Sequence, residues 1–313
     1  MSTIALLGNH EVAFSTESEL AWTLEKRLGN SVIRLQENKV TTDEVVSTCR
    51  ERNVKLFIWV HTHCWSMTGS FDQYKMLDLL RQSGIKTASF HLDRFWGLNV
   101  ADGREDRIGD HAFFRTDKFF SADGGNDDKW ASRGINHVWL KAGVVERDCV
   151  LGSPSPQWGN QVVFAGADGY HSEYPFRSMM VNRLREIYGS NFRVYQGVRQ
   201  QQLNDLYATA KVVVGDHCFS GQPKYCSDRL YETTGRGGFL IYPETEGITE
   251  EIPGLVTYRS QDIADLIKKV NYYLADENQV ERIRRRNQSY EWVKQNGTYT
   301  NRMQFLLKEM GIE

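Results

Sequence analysis

The chain has 313 residues, 40 % of them hydrophobic and 12 % aromatic, which suits one large domain or, more naturally, two domains of about 150 residues each. Its 38 basic and 40 acidic residues give a net charge of −2. This balance excludes a globally basic surface for nucleic acid or acidic membranes, although it leaves room for a local basic patch. With only six prolines and no low-complexity run, the composition also excludes a largely disordered chain.

The cysteine content and the N-terminus indicate a protein of a reducing compartment. The five cysteines are odd in number and form no Cys-x-x-Cys pair, so a disulfide framework is not expected. The N-terminal run lacks the basic region of a signal peptide, and no segment approaches the ~18 apolar residues needed to cross a bilayer. We therefore expect a cytoplasmic protein without a membrane span.

Short apolar runs alternate with amphipathic segments along the first half of the chain. Strands are expected at 4–8, 31–36, 54–61, 85–92, 118–122 and 136–140, with a polar connection over 123–135. Two pairs with capping-box spacing, Thr16 with Glu19 and Thr41 with Glu44, predict where two helices begin. A third helix is expected at 71–84. Alternation of this kind predicts parallel strands with helical crossovers.

Residues 145–160 interrupt this rhythm with the only Pro/Gly/Ser cluster of the chain, and we place a domain boundary there. The alternation then restarts, with strands at 161–166, 192–197, 212–216 and 239–243. We predict an α/β protein with two Rossmann-like parallel-sheet domains facing a cleft. The first domain covers 1–150 and the second 151–285, and helices at 286–313 pack back across the boundary. Ligands of such sheets bind beyond the carboxyl ends of the strands.

Several chemical motifs are absent. The sequence contains no P-loop, no dinucleotide fingerprint after the first strand and no nucleophile elbow. His61 and His63 lie two residues apart, but no third ligand stands at a recognisable spacing, so we expect no metal site.

The segment 224–238 carries the strongest chemical pattern. Ser227 is a suitable N-cap, so the helix that follows would direct backbone N–H groups at an anion such as phosphate, and Lys224 and Arg229 add positive charge. The carboxylate of Glu232, one turn later, can accept two hydrogen bonds from a vicinal diol such as a ribose. The alternative is an exposed helix on which Glu232 pairs with Arg236 at i,i+4.

The segment "YCSDRLYETTGRGGFLI" (225–241) resembles the donor-site helix of GT-B glycosyltransferases, in the family-4-like, group 1 branch that includes spore-maturation-like, bacterial, archaeal and phage members. That branch often reads S-x-R-x-[FY]-E-x-x-x-x-G-G-[FL]-L-I. The resemblance continues through 245–288 in the family order, and 7–40 and 90–98 are similar to the acceptor half. It implies a GT-B fold over nearly the whole chain.

The resemblance also implies roles for donor-side residues. Glu232 matches the family glutamate that binds the ribose of a nucleotide-sugar, and Arg229 and Lys224 fall where diphosphate contacts are expected. The family often has a second glutamate eight residues earlier, but Lys224 stands there in this chain. This departure puts the usual retaining mechanism in doubt and leaves both stereochemical outcomes open.

Two further donor contacts follow from the resemblance. Arg177, on the helix after the first strand of the second half, falls where an anion contact is expected. Its alternative is an ordinary surface charge. Val198 lies in the loop where the nucleobase usually sits.

In the first half, a carboxylate beyond a strand could take a proton from an acceptor hydroxyl. Asp93 is our first candidate for this base, and His10 and Glu17 are the others. Asp93 could instead form a loop structure with Arg94, and Glu17 could simply complement the helix dipole.

We therefore expect a nucleotide-sugar-dependent glycosyltransferase (EC 2.4 class). The second domain would bind the donor, a UDP-sugar or a similar one, and the first an acceptor hydroxyl. No metal or other cofactor is expected, since the nucleotide-sugar is a co-substrate. One alternative is a phage-type enzyme that glycosylates hydroxymethylated bases in DNA. The basic run 282–286 could contact DNA, but the slightly negative net charge does not favour DNA binding. Another is a non-catalytic nucleotide-sugar-binding protein.

Overall fold

The computed structural model describes residues 1–60, 72–98, 103–169 and 174–312, which form two compact units. The first unit takes the chain up to Lys141 and the last helix, and the second takes Ala142–Thr298. The two units are thus divided between residues 141 and 142. The predicted boundary lay a few residues later, after residue 150, within the Pro/Gly/Ser cluster at 145–160. The last helix rejoins the first unit because it packs against that unit's first helix.

The first unit contains a six-stranded parallel sheet in the order β2-β1-β3-β4-β5-β6. Its strands are β1 (Thr3–Gly8), β2 (Ser31–Gln36), β3 (Leu56–Val60), β4 (Lys86–His91), β5 (Lys118–Ser121) and β6 (His137–Trp139). In the register, Ile4 of β1 pairs with Val32 of β2 and with Leu56 of β3. Strand β3 is buried along its whole length, as expected for a central parallel strand covered on both faces.

The helices of the first half are α1 (Thr16–Lys26), α2 (Thr42–Glu51), α3 (Gln73–Gln82) and α4 (Asp127–Ser132). The capping box of Thr41 and Glu44 is confirmed at α2. At α1 the predicted cap is wrong by one residue, because the hydroxyl of Ser15 accepts from the backbone N–H of Ser18. Helix α4 replaces part of the expected polar connection. It is short and polar, and only Trp130 is buried, so its pattern is too weak to predict.

Aromatic side chains fill much of the first unit's core. Trp130 lies edge-on to Phe119 and Phe95, with ring centroids 5.3 and 5.8 Å apart. Phe113 packs edge-on against Trp59 of β3 at 5.2 Å. These rings sit on one face of the sheet together with apolar residues of α2 and α3, so burial of the faces that α2 and α3 share with this core fixes the helices on the strands.

The second unit contains a five-stranded parallel sheet in the order β11-β10-β9-β7-β8. Its strands are β7 (Val162–Ala165), β8 (Phe192–Tyr195), β9 (Val212–Val214), β10 (Leu240–Pro243) and β11 (Val256–Tyr258). The remaining helices are α5 (Phe176–Tyr188), α6 (Gln200–Thr209), α7 (Arg229–Gly235), α8 (Ile263–Leu274), α9 (Gln279–Asn296) and α10 (Tyr299–Glu309). The predicted α/β class with two parallel sheets is confirmed.

Helix α7 is short and mostly buried, with its interior face formed by Leu230, Tyr231, Thr233, Thr234 and Gly235. It packs against α9. A Cβ at Gly235 would come within 2.6 Å of Val144 Cγ1, so only glycine permits this close approach. Across the described ranges, none of the helices is both long and apolar enough to cross a bilayer.

Candidate functional site

The carboxyl edge of the second sheet brings Arg229, which the sequence singled out, together with residues that follow the strands. Asp216 follows β9, Gly166 follows β7, and Arg229 opens α7. Because parallel strands end at the same edge, these groups meet although they lie far apart along the chain.

Asp216 is the buried centre of this edge. Its Oδ2 accepts from Arg177 Nε at 3.3 Å, and its Oδ1 accepts from the hydroxyl of Tyr174 at 3.1 Å. Burial raises the pKa of Asp216, and the charges of Arg177 and Arg229 oppose that rise. Arg177 is only 6 % exposed, so it is not the surface charge that the alternative interpretation described.

Arg229 binds the backbone at the ends of two strands. Its Nε donates to Ala165 O at 2.8 Å and its Nη1 to Asp216 O at 2.7 Å, while its guanidinium lies 4.7 Å from the ring centroid of Phe164. Gly166 has a φ of +131°, and a Cβ there would collide with the guanidinium. The side chain therefore ties β7 to β9. Its contact with a diphosphate stays a prediction.

The start of α7 differs from the expectation. The helix begins at Arg229, and Asp228 at the cap position makes no side-chain capping hydrogen bond. The Ser227 hydroxyl instead lies 3.3 Å from both Asp216 O and the Tyr242 hydroxyl. The predicted N-cap at Ser227 is wrong, because this hydroxyl bonds the sheet edge rather than the helix.

Glu232 lies on the same helix and forms a buried ion pair. Its Oε2 accepts from Arg236 Nε at 2.7 Å, and 19 % of its side chain remains exposed. The i,i+4 pair named as the alternative is therefore present, but on a buried helix rather than an exposed one. Within the described residues, no hydrogen bond reaches Oε1. One carboxylate oxygen of Glu232 is thus engaged by the protein and the other is not.

The other two donor-side candidates lie in loops. Lys224 has a left-handed backbone (φ 55°), and its N–H donates to Glu246 O at 2.9 Å. Its side chain runs beside Gly247. Val198 is half-buried in the loop that joins β8 to α6, at the carboxyl end of β8. Their predicted contacts with diphosphate and nucleobase stay predictions.

In the first unit, His10 and Glu17 both lie next to the end of β1. The Nε2 atom of His10 is 3.0 Å from Leu6 O, and burial lowers the pKa of this imidazole, which favours the neutral form at pH 7. Glu17 is buried beside Gly8. It stands in the first turn of α1, where its charge also complements the helix dipole.

Asp93 lies two residues beyond the end of β4, as predicted. Its Oδ2 is 3.8 Å from Nη1 of Arg104, so this carboxylate has a cationic neighbour from the following loop. Arg94 turns away from it: its Nε donates to Trp96 O at 2.6 Å, and its Nη1 lies 3.9 Å from Asp123 Oδ1. The expected alternative, in which Asp93 pairs with Arg94, does not describe this loop.

Sequence reasoning missed two acidic groups at the sheet edges, Asp216 and Glu37. The backbone N–H of Glu37 donates to Gly8 O at 3.1 Å. Burial and the nearby charge of Glu17 raise the pKa of Glu37 to about 7. Glu37 directly follows the predicted strand 31–36, and Asp216 is the last residue of the predicted strand 212–216. Their position at a strand end was the available signal.

The histidines considered for a metal, His61 and His63, lie outside the described residues. In the part of the chain that the structure describes, no three His, Cys, Asp or Glu side chains are grouped closely enough to hold a metal ion.

Comparison with known proteins identifies a family model and solved structures that resemble this chain. Residues 154–308 match the family model described as "Glycosyl transferase-like". A glycosyltransferase from Rickettsia africae aligns with a TM-score of 0.65 at 11 % identity, covering 99 % of this chain and 97 % of that one. The chain has the GT-B glycosyltransferase fold. No curated protein sequence matches it significantly.

Two further GT-B structures resemble the chain, and both contain a nucleotide-sugar. Anabaena Alr3699/HepE in complex with UDP-glucose has a TM-score of 0.65 at 10 % identity and covers 99 % of this chain and 100 % of that one. T4 phage BGT, in complex with its UDP-glucose substrate, has a TM-score of 0.59 at 11 % identity and covers 98 % and 99 %. At these identities the likeness establishes the fold alone. Together with the family-model match over residues 154–308, it confirms the resemblance to group 1 GT-B glycosyltransferases.

Proposed function

We propose that this protein transfers a sugar from a UDP-sugar to an acceptor hydroxyl, with the donor bound by the second unit and the acceptor by the first. The observation that carries the proposal is the glycosyl transferase-like match, which covers almost all of the second unit. Two structures of the same fold that contain UDP-glucose support the choice of donor.

The donor side offers a carboxylate suited to a ribose. Oε1 of Glu232 is available to accept from a diol, while Oε2 is fixed by Arg236. In this proposal Lys224 and Arg177 supply the positive charge for the diphosphate. Arg229 joins the ends of β7 and β9. Val198 would lie beside the base. Fixed charges of this kind stabilise the negative charge that develops on the departing diphosphate.

The transfer itself exchanges one C–O bond for another. The bond between the anomeric carbon and the diphosphate oxygen breaks, the bond to the acceptor oxygen forms, and the hydroxyl proton passes to a base. Asp93, His10 and Glu17 are the proposed bases. Neutral His10 could accept a proton at pH 7, because burial lowers its pKa.

Thermal stabilisation by nucleotides tests the donor assignment. UDP, GDP, ADP, CMP and dTDP are compared, and a ligand at 100 times its dissociation constant stabilises the folded state by about 2.7 kcal/mol. We expect the largest shift with UDP and its loss in Glu232→Ala. Glu281→Ala is the matched control, since Glu281 forms a similar i,i+4 pair with Arg285 on α9. An unchanged shift in Glu232→Ala would refute the ribose contact.

Release of UDP from UDP-glucose or another UDP-sugar separates the remaining alternatives. Tight UDP binding without turnover would favour a non-catalytic binding protein. Duplex DNA binding at low salt would favour the phage-type alternative. The basic run gives that alternative little support, because Arg282 donates to Tyr273 O and Arg285 pairs with Glu281 at 2.7 Å.

A further inference from the structure

Arg236 joins three segments of the second unit through its guanidinium. Its Nε donates to Glu232 Oε2 at 2.7 Å, its Nη2 to Asp148 Oδ2 at 2.6 Å, and its Nη1 to Asn204 Oδ1 at 2.8 Å. Asp148 belongs to the turn at Glu146–Asp148 and Asn204 to α6. With 4 % of its side chain exposed, Arg236 is buried and held in one orientation.

The charges around Glu232 act on its pKa in opposite directions. Burial raises the pKa of this carboxyl, and Arg236 opposes the rise. Asp148 and Asp228 push the pKa further up. In the part of the chain that the structure describes, Arg236, Asp228 and Asp148 are the charges that act most strongly on Glu232, and Cys149 and Tyr207 also face it. Arg236 is the cation of this set, and its charge favours the ionised form of Glu232.

We propose that Arg236 is a positioning residue for the donor: it fixes Oε2 of Glu232 and thereby presents Oε1, ionised, to the ribose diol. This inference rests on the proposed function. The family pattern does not specify the fourth position after the glutamate, which Arg236 occupies in this chain. Asp148 and Asn204 hold Arg236 in place, and they act on the donor only through it.

The pH dependence of UDP-glucose binding tests the proposal by calorimetry. UDP-glucose is suitable because its diphosphate has no group that titrates near neutrality. The affinity of the unmodified protein should fall with decreasing pH as Glu232 gains a proton. In Arg236→Gln the midpoint of this fall should move up by about one pH unit or more, because the opposing cation is lost.

In a second variant, Asp148→Asn, we expect the pH midpoint of UDP-glucose binding to move in the opposite direction. Asp148→Asn keeps an oxygen that accepts from Arg236 but removes the negative charge that opposes ionisation of Glu232. The midpoint should therefore move to lower pH. Arg285→Gln is the matched control, because it removes an i,i+4 arginine–glutamate pair of the same 2.7 Å length on α9. It should leave the midpoint unchanged.

The outcomes are distinct. Equal weakening of binding at every pH in both variants would mean that Arg236 only supports packing, and would overturn the inference. Unchanged midpoints would overturn it as well. If Arg236→Gln does not fold, the midpoint of Asp148→Asn alone tests the inference: a shift to lower pH supports it and an unchanged midpoint overturns it. If the unmodified protein binds none of the nucleotides or UDP-glucose, the proposed function itself fails and the inference fails with it.

Discussion

Replacing Arg229 with methionine tests whether this side chain is primarily structural. Methionine retains the apolar stem but removes the guanidinium that donates to Ala165 O at 2.8 Å and to Asp216 O at 2.7 Å. A hydrogen bond from a charged group contributes about 1.5–3 kcal/mol, and the contact with the Phe164 ring about 1 kcal/mol. Together these contacts amount to about 4–7 kcal/mol, but the Ser227 hydroxyl, 3.3 Å from Asp216 O, still donates to that carbonyl and recovers part of the loss. We therefore expect Arg229→Met to lower the free energy of unfolding of the second unit by about 3–5 kcal/mol.

Urea unfolding measures this loss, with the transitions of the two units fitted separately because a two-unit chain need not unfold in one step. Arg183→Met is the control. Arg183 is 53 % exposed and pairs with Glu186 on the surface of α5, so its replacement should change stability by less than about 1 kcal/mol. If Arg229→Met unfolds like the unmodified protein yet loses UDP binding, the structural assignment is wrong and the diphosphate contact is favoured.

Two further substitutions are informative. The folded-state pKa of Glu37 is raised to about 7, so the stability that its protonated form provides is present at low pH and is lost as pH rises toward that value. Glu37→Gln should therefore stabilise the protein at about pH 8 by about 1 kcal/mol, a figure reduced for solvent screening, and not at about pH 4; an equal gain at both pH values would contradict this. In Gly238→Ala, the new Cβ would lie 2.7 Å from Thr233 Cγ2 and 3.1 Å from Thr233 O, which should cost about 1–3 kcal/mol. Gly159→Ala, whose nearest contact would be 3.5 Å, should be close to neutral, and equal urea midpoints for the two variants would refute the steric argument.

Much of the fold could be predicted from short-range patterns. The alternation of apolar runs with amphipathic segments predicted the six strands of the first sheet and four of the five strands of the second, but not the three-residue strand β11. The capping box at Thr41 and Glu44 predicted where α2 begins. These signals are local, since a strand's alternation and a helix cap involve residues within about four positions of one another. The same patterns failed where they are weak, as in the six-residue helix α4.

The candidate site was predicted only in part. Local spacing named the Glu232–Arg236 pair, which is present, but only as the alternative to a ribose contact and on an exposed helix. It also gave Ser227 the role of a helix cap and Arg177 the alternative of a surface charge. The structure joins Ser227 to the end of β9 and buries Arg177 against Asp216. The spacing of neighbouring residues indicates neither contact, because both involve residues far apart along the chain.

The sequence by itself determined which residue types follow which strands, and therefore the α/β class and the resemblance to the GT-B family. Only the tertiary structure decided what each charge binds. Ala165 lies 64 residues before Arg229, and Asp148 lies 88 residues before Arg236. Such partners meet because parallel strands bring their carboxyl ends to one edge and because buried charges must find a partner wherever the chain provides one.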